Sequence, residues 1–419
     1  VIRGPKSSLY GADAIGGVIH IHTRNASNAT SKVNPVVSVG GGTYGHYKVQ
    51  AGVSGKVGKA WYNLNASHED AEGFDATSNG NEPDRDGYEN HASSFRLGYQ
   101  LTDWLSIEGH TMYSGGSSEF DGSFQNETDY TQLVYGGKIA IQATDFWAIN
   151  LNAGASEDGS TNYLNGVNAS VFDTQRVSFS ALNNFTLAPE HIVSLGYDFL
   201  DDSIDSTTDF VETSRNNHAV FIQYQGEFAN NHLQLAYRSD HNEQFGQNST
   251  WNAAWGYSFN NGILVSASYG TGFKAPTFND LYFPFSGNDQ LNPEKSESYE
   301  IGVSGEHDDW NWALNGYLTN LDNMLTWLED KNTRIWAPEN LNAQIMGIEA
   351  IVGGRVYDFD VQLNYNALDP KSKGPTTNGN VLARRAQQLV RLDIDRKIGD
   401  ASVGTTVNFE GRRFDDIQN

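Results

Sequence analysis

Carboxylates crowd the polar stretches of this chain. Asp84, Asp86 and Glu89 stand close together, as do Glu119, Asp121, Glu127 and Asp129, then Glu157, Asp158 and Asp173, then Asp201, Asp202, Asp205 and Asp209. Oxygen ligands in such density suit a hard cation, because calcium takes six to eight of them. The same residues would serve simply to keep a loop hydrated. Calcium at Asp121, Glu127, Asp129, Asp158 and Asp173 and plain solvation therefore stand side by side at this level. Asp84-Arg85-Asp86-Gly87 opens like an EF-hand loop but lacks the Glu at the twelfth position, so that motif is rejected. His20 and His22 would share one face of a strand; two ligands are too few for zinc, and a strand face is the plainer reading. With no cysteine there is no thiol chemistry and no disulfide. No phosphate-binding glycine loop, zinc-protease helix or nucleophile elbow occurs, and catalysis has no positive support.

The elements that hold these residues are read from composition and period. Lys plus Arg number 27 against 51 Asp plus Glu, and 27 − 51 gives a net charge of −24, which argues against a nucleic-acid partner. Forty-three Gly with 21 Phe, 20 Tyr and 9 Trp point to β structure. No run of 18 apolar residues exists, so no helix crosses a membrane. The start, Val1-Ile2-Arg3-Gly4-Pro5, has neither Met nor a signal-peptide layout and reads as an interior stretch of something longer.

From Val33 onward apolar and polar residues alternate. Trp251, Ala253, Trp255, Tyr257 and Phe259 share one face; Ile263, Val265, Ala267, Tyr269, Thr271 and Phe273 share the next; Phe359, Val361, Leu363 and Tyr365 repeat the pattern. About nineteen such segments of roughly 8 to 14 residues are expected, longer than the usual strand of about 5 to 6. Crossing a bilayer at a tilt takes about 9 to 11 residues. Connections alternate between tight turns and long polar loops, the latter expected around 68–90, 114–130, 157–174, 201–215, 240–250, 272–293 and 368–386. Trp104, Phe146, Trp147, Phe228, Phe259, Trp310 and Tyr357 flank the tight turns, as an interfacial girdle would. A soluble propeller or sandwich is the rival, although neither requires loop lengths to alternate.

Residues 1–32 break the ladder. The run Ile2-Arg3-Gly4-Pro5-Lys6-Ser7-Ser8-Leu9-Tyr10-Gly11, with Gly16-Gly17-Val18-Ile19-His20-Ile21-His22-Thr23-Arg24, resembles the closing stretch of the plug domain in TonB-dependent outer-membrane receptors. A second block resembles the same family: Ser268-Tyr269-Gly270-Thr271-Gly272-Phe273-Lys274-Ala275-Pro276-Thr277, then Leu291-Asn292-Pro293-Glu294-Lys295-Ser296 and Tyr299-Glu300-Ile301-Gly302-Val303. Within the family, Arg238 to Gly246 and Leu382 to Gln388 are similar to cobalamin receptors.

The resemblance implies an all-β chain: a transmembrane antiparallel β-barrel of a 22-stranded family, with about nineteen strands present at 33–419, about three C-terminal strands absent so that the barrel is expected to be unclosed, and the C-terminal end of a plug at 1–32. It implies that Arg3 pairs with Glu300 and Glu349 in a buried cluster that holds the plug, since a carboxylate among apolar neighbours needs a cationic partner. The rival is that both glutamates face a watery lumen. Cobalamin receptors bind calcium in their extracellular loops, which gives the acidic loops a purpose, and no other cofactor is expected. The implied role is non-enzymatic: active uptake of a large scarce nutrient across the bacterial outer membrane, powered by the TonB–ExbB–ExbD complex through a segment outside this chain. Cobalamin is the first expected cargo and an iron-siderophore the second, with a passive porin-like barrel as the rival from another class. The acidic surface fits divalent-ion bridging to lipopolysaccharide. Ligand-contact residues are not legible.

Overall fold

The computed structural model describes residues 2–21, 23, 25–75, 83–329 and 334–417, with the side chains of Ile2 and Arg3 outside that description. A short strand β1 (Ile2–Arg3), a helical turn α1 (Ser7–Tyr10) and β2 (Gly17–Val18) come first, and β1 pairs antiparallel with β2. The long strands follow: β3 (Asn34–Gly41), β4 (Tyr47–Val57), β5 (Ala60–Ala71), β6 (Tyr88–Thr102), β7 (Leu105–Glu119), β8 (Glu127–Thr144), β9 (Trp147–Leu164) and β10 (Val167–Ala188). Then come β11 (His191–Ser206), β12 (Ser214–Phe228), β13 (Asn231–Asn242), β14 (Gly246–Ser258), β15 (Ile263–Lys274), a five-residue helix α2 (Phe278–Tyr282) and β16 (Glu294–His307). The chain finishes with β17 (Trp310–Glu329), β18 (Trp336–Val356), β19 (Phe359–Ser372), β20 (Gln388–Ile398) and β21 (Ala401–Glu410). Each of β3 to β20 pairs antiparallel with the next, and against the expectation of an unclosed barrel the sheet curls into a closed one in which β21 lies beside β3, since closure removes the strand edges that an open sheet exposes.

Side-chain exposure decides between a membrane barrel and a soluble β fold. On β13 the inward residues Ala236, Arg238, Asp240 and Asn242 are buried, while Leu235 and Tyr237 between them are 44% and 47% exposed. On β14 Asn248, Thr250 and Asn252 are buried while Trp251 and Trp255 are exposed. A globule dissolved in water would bury the greasy face; here the polar face is inside and the apolar face outside, the arrangement lipid demands. The propeller or sandwich alternative is thereby excluded.

Nine tight turns lie at one end, and several place non-glycine residues at positive φ, including Glu190, Ala229, Asp308 and Tyr357. Gly58 and Gly399 occupy the same conformation without the Cβ clash. Trp104, Phe146, Phe228, Phe259, Trp310 and Tyr357 are all exposed there.

The other end departs from expectation. The stretches 157–174 and 240–250 are mostly strand: β9 and β10 run to Leu164 and from Val167, and β13 and β14 are parted by three residues only. Strands reach 22 residues in β10. Ser, Thr, Asn and Asp in these stretches mimic loop composition, but a hairpin standing in water has two polar faces and still satisfies its backbone by pairing. A small apolar cluster also sits at this end: Leu321, Met324, Leu341, Ala343, Leu382 and Ile417, with Ile15 of the N-terminal segment packed against it.

Candidate functional site: the plugged lumen and its upper chamber

The N-terminal segment enters the lumen as a tight turn. Leu9 and Tyr10 N–H groups both donate to the Lys6 carbonyl, at 3.0 Å each, and Gly11 closes the turn onto the Ser7 carbonyl at 2.9 Å. Gly11 has φ +84°, and a Cβ there would stand 3.2 Å from the Arg238 guanidinium. Glycine is required twice over, by conformation and by approach. Ser7 and Ser8 are fully buried against β12 to β15, with the Phe273 N–H donating to Ser7 Oγ at 3.3 Å and the Asp13 N–H donating to the Phe273 carbonyl at 3.0 Å.

Directly beneath this turn lies an ion cluster. Arg238 is 1% exposed and Asp240 0%. Arg238 Nε donates to both Asp240 oxygens at 3.1 and 3.0 Å, its Nη1 donates to Asp198, and its guanidinium stacks over Phe221 at 5.5 Å. Asn217 donates to Asp240 at 2.9 Å. Two carboxylates thus compensate a guanidinium charge that would be costly to bury alone, and the Asn217 amide adds a donor to one of those carboxylates. A second anchor holds the descending segment. Glu108 accepts from Arg96, from the Trp61 indole at 3.0 Å and from Asn25 at 3.2 Å, while Arg96 also donates to Thr23 Oγ1 at 2.8 Å.

Of the cluster expected from resemblance, Glu300 and Glu349 face the lumen on one side of the wall, linked in register through Tyr317 and Asn315 of β17. Glu349 is buried and accepts from Asn366 at 3.2 Å. The Arg3 side chain lies outside the described residues. The N-terminal cation near Glu300 is Lys6: burial lowers its ammonium below the ordinary lysine range and Glu300 opposes that shift. His22 is also outside the described residues, and His20 meets Tyr10 edge-on at 6.1 Å.

Above the turn, at the long-connection end, is a cavity of 490 Å³. The N-terminal segment supplies Ala12 and Asp13, the wall supplies Phe172, Arg176, Asp202 and Asn217, and the roof is Ala275, Thr277, Phe278 and Asn279. The roof is a built element. Thr277 caps α2, its hydroxyl accepting from the Asp280 N–H at 3.2 Å while the Asp280 carboxylate accepts from the Thr277 N–H at 2.9 Å. Arg215 donates to the Pro276 carbonyl at 2.9 Å and lies over Phe278 and Phe245, and Trp327 donates to Asp280 at 3.0 Å. Arg176 forms a two-point pair with Asp202.

Of the carboxylates considered for calcium, Asp129, Asp158 and Asp173 line a neighbouring cavity of 560 Å³ together with Glu157 and Asp205. Glu127 stands at the mouth of the β7–β8 hairpin, opposite Glu119, and Asp121 follows in the loop with a buried Oδ2 that has no hydrogen-bond partner. Among the described residues, no three of these five bring ligand atoms within 4.8 Å of one another. The chamber and both anchors escaped the sequence reading. The one signal for the deeper anchor was an Arg and an Asp at alternate positions, Arg238 and Asp240, on a face otherwise made of neutral residues.

Residues 28–419 match the family described as TonB dependent receptor-like, beta-barrel. The chain is 31% identical over 432 aligned positions to the vitamin B12 transporter BtuB of Photobacterium profundum, spanning all of this chain and 70% of that protein. It is 27% identical to BtuB of Vibrio vulnificus over 93% of this chain and 64% of that one. A crystal structure of the ferric enterobactin receptor PfeA of Pseudomonas aeruginosa superposes with a TM-score of 0.84 at 17% identity, covering 98% of this chain and 72% of that one, which speaks for the fold. Polar lumen, lipid-facing apolar belt and inserted N-terminal turn agree with these likenesses, and the chain belongs to the TonB-dependent receptor β-barrel family.

Proposed function

We propose that this chain is the barrel and plug end of an outer-membrane transporter that takes up cobalamin. The observation that carries the reading is the chamber in which plug, wall and capped roof meet. A ligand seated there touches Ala12 and Asp13, so binding is reported directly to the plug. The relatives named as vitamin B12 transporters supply the cargo. Force would reach the plug from the TonB–ExbB–ExbD complex, through sequence outside this chain, while lipopolysaccharide surrounds the extracellular rim.

A second reading rests on Arg215, which, among the described residues, is held by the Pro276 carbonyl, the Gln244 amide oxygen and two rings and by no carboxylate ion pair. A guanidinium so placed suits an anionic ferric siderophore. Equilibrium binding of cyanocobalamin and of ferric siderophores to the full-length protein separates the two. Saturable cobalamin binding with no siderophore binding is expected, and the reverse result replaces the proposal. Constitutive conductance through the purified protein would instead indicate a passive pore. We extend the cobalamin reading to calcium at the wall bearing Asp129, Asp158 and Asp173: added calcium is expected to tighten cobalamin binding in the same assay, and Asp158→Asn to abolish that gain.

A further inference from the structure

On the outer face of the wall, away from the lumen, two histidines stand directly opposite each other on adjacent strands. His68 of β5 pairs with His91 of β6, four residues along from the lipid-facing pair Leu64 and Phe95. Their Nδ1 atoms are 3.0 Å apart. Each ring is held by its far nitrogen: Tyr47 Oη lies 2.9 Å from His68 Nε2, and Glu89 lies 2.8 Å from His91 Nε2. Ligand atoms of His68, Glu89 and His91 all fall within 4.8 Å of one another, the one such trio of His, Asp or Glu among the described residues. Asp70 sits opposite Glu89 in register, and like charges in that position repel unless a cation intervenes.

We propose that this patch binds a divalent first-row transition-metal ion of the zinc and copper class, with the two Nδ1 atoms as the protein's ligands and water filling the remaining positions, an open site rather than a closed structural one. Two imidazole nitrogens on a tetrahedral zinc stand about 3.4 Å apart, given bonds of about 2.1 Å, close to the spacing found. The arrangement also has the outer hydrogen bonds that metal-bound histidines use, with a carboxylate on one far N–H and a hydroxyl on the other. Proton bookkeeping closes. Glu89 accepts from His91 Nε2–H, which leaves a lone pair on His91 Nδ1. Without metal, His68 Nδ1–H donates to that lone pair and Tyr47 donates to His68 Nε2. When the ion enters, the His68 proton moves to Nε2 and the Tyr47 hydroxyl turns to accept it, so both Nδ1 lone pairs face the ion with no net proton gained or lost.

The site is separate from the lumen and does not depend on the cargo. It is tested by calorimetric titration of the complete protein in detergent with zinc, and by copper EPR. The wild type is expected to show one saturable zinc site and a copper signal with coupling to two nitrogens. His68→Ala with His91→Ala removes both, and Glu89→Gln weakens zinc by about 10–100-fold. Heat-modifiable gel migration checks that the variants are folded barrels. A wild type without the zinc site or the two-nitrogen signal, or an isotherm unchanged in the double variant, overturns the proposal.

Discussion

The wall under the N-terminal turn and the seam of the barrel carry the same alternating pattern and end up in opposite states. On β13 every second residue from Ala236 to Asn242 is buried, whereas β3 and β21, which meet at the seam, are exposed at every position on both faces. Period two settles which face is polar. It does not settle whether that face is dry. Burial of Arg238 and Asp240 comes from the Ser7–Tyr10 turn laid over them, and where no such segment lies against the wall the polar face simply stays wet.

The largest effect expected from breaking this contrast is at Arg238. Arg238→Ala leaves Asp240 charged and buried without its partner, at a cost of about 3–5 kcal/mol, read as a lowered midpoint in denaturant unfolding in detergent; a shift no larger than that of Gln50→Ala on β4 would show the cluster to be dispensable. Next comes the outer face of the same strand. Leu235→Arg is expected to cost about 2–4 kcal/mol near the bilayer midplane while the lumen-facing Gln234→Arg costs far less, and folding titrations into lipid vesicles measure both. Loss of the second anchor is smaller: Glu108→Gln removes charge-assisted bonds worth about 1.5–3 kcal/mol and is expected to speed proteolysis near Thr23 to Asn25 without lowering barrel content by circular dichroism. Smallest is Thr277→Ala, about 1 kcal/mol of helix capping, which loosens the chamber roof and, on the proposed cargo, is read as faster release of cobalamin with the unfolding midpoint nearly unchanged.

Strand number, the lipid-facing residues and the tight-turn end were legible because each follows from local alternation and turn chemistry, as Trp251 and Trp255 illustrate. Hairpins such as 157–174 were misread as loops because a strand wet on both faces has no greasy stripe to betray it. The helical turn at Ser7–Tyr10 was legible through resemblance, its partners were not. Arg238 meets Asp198 from forty positions away, and Glu108 gathers Arg96, Trp61 and Asn25 from separate strands and the plug. The carboxylates considered for calcium show the same limit: Asp129 and Asp173 share a face only because β8, β9 and β10 are in one register, which turns the neighbouring Asp158 to the other face.

What the amino-acid order determined alone is a barrel with its apolar side turned to lipid, since alternation and turn spacing are properties of neighbours along the chain. Which charges meet, where the chamber opens and which histidines face each other were decided only in three dimensions, because strand register and the inserted plug bring together residues that local chemistry leaves strangers.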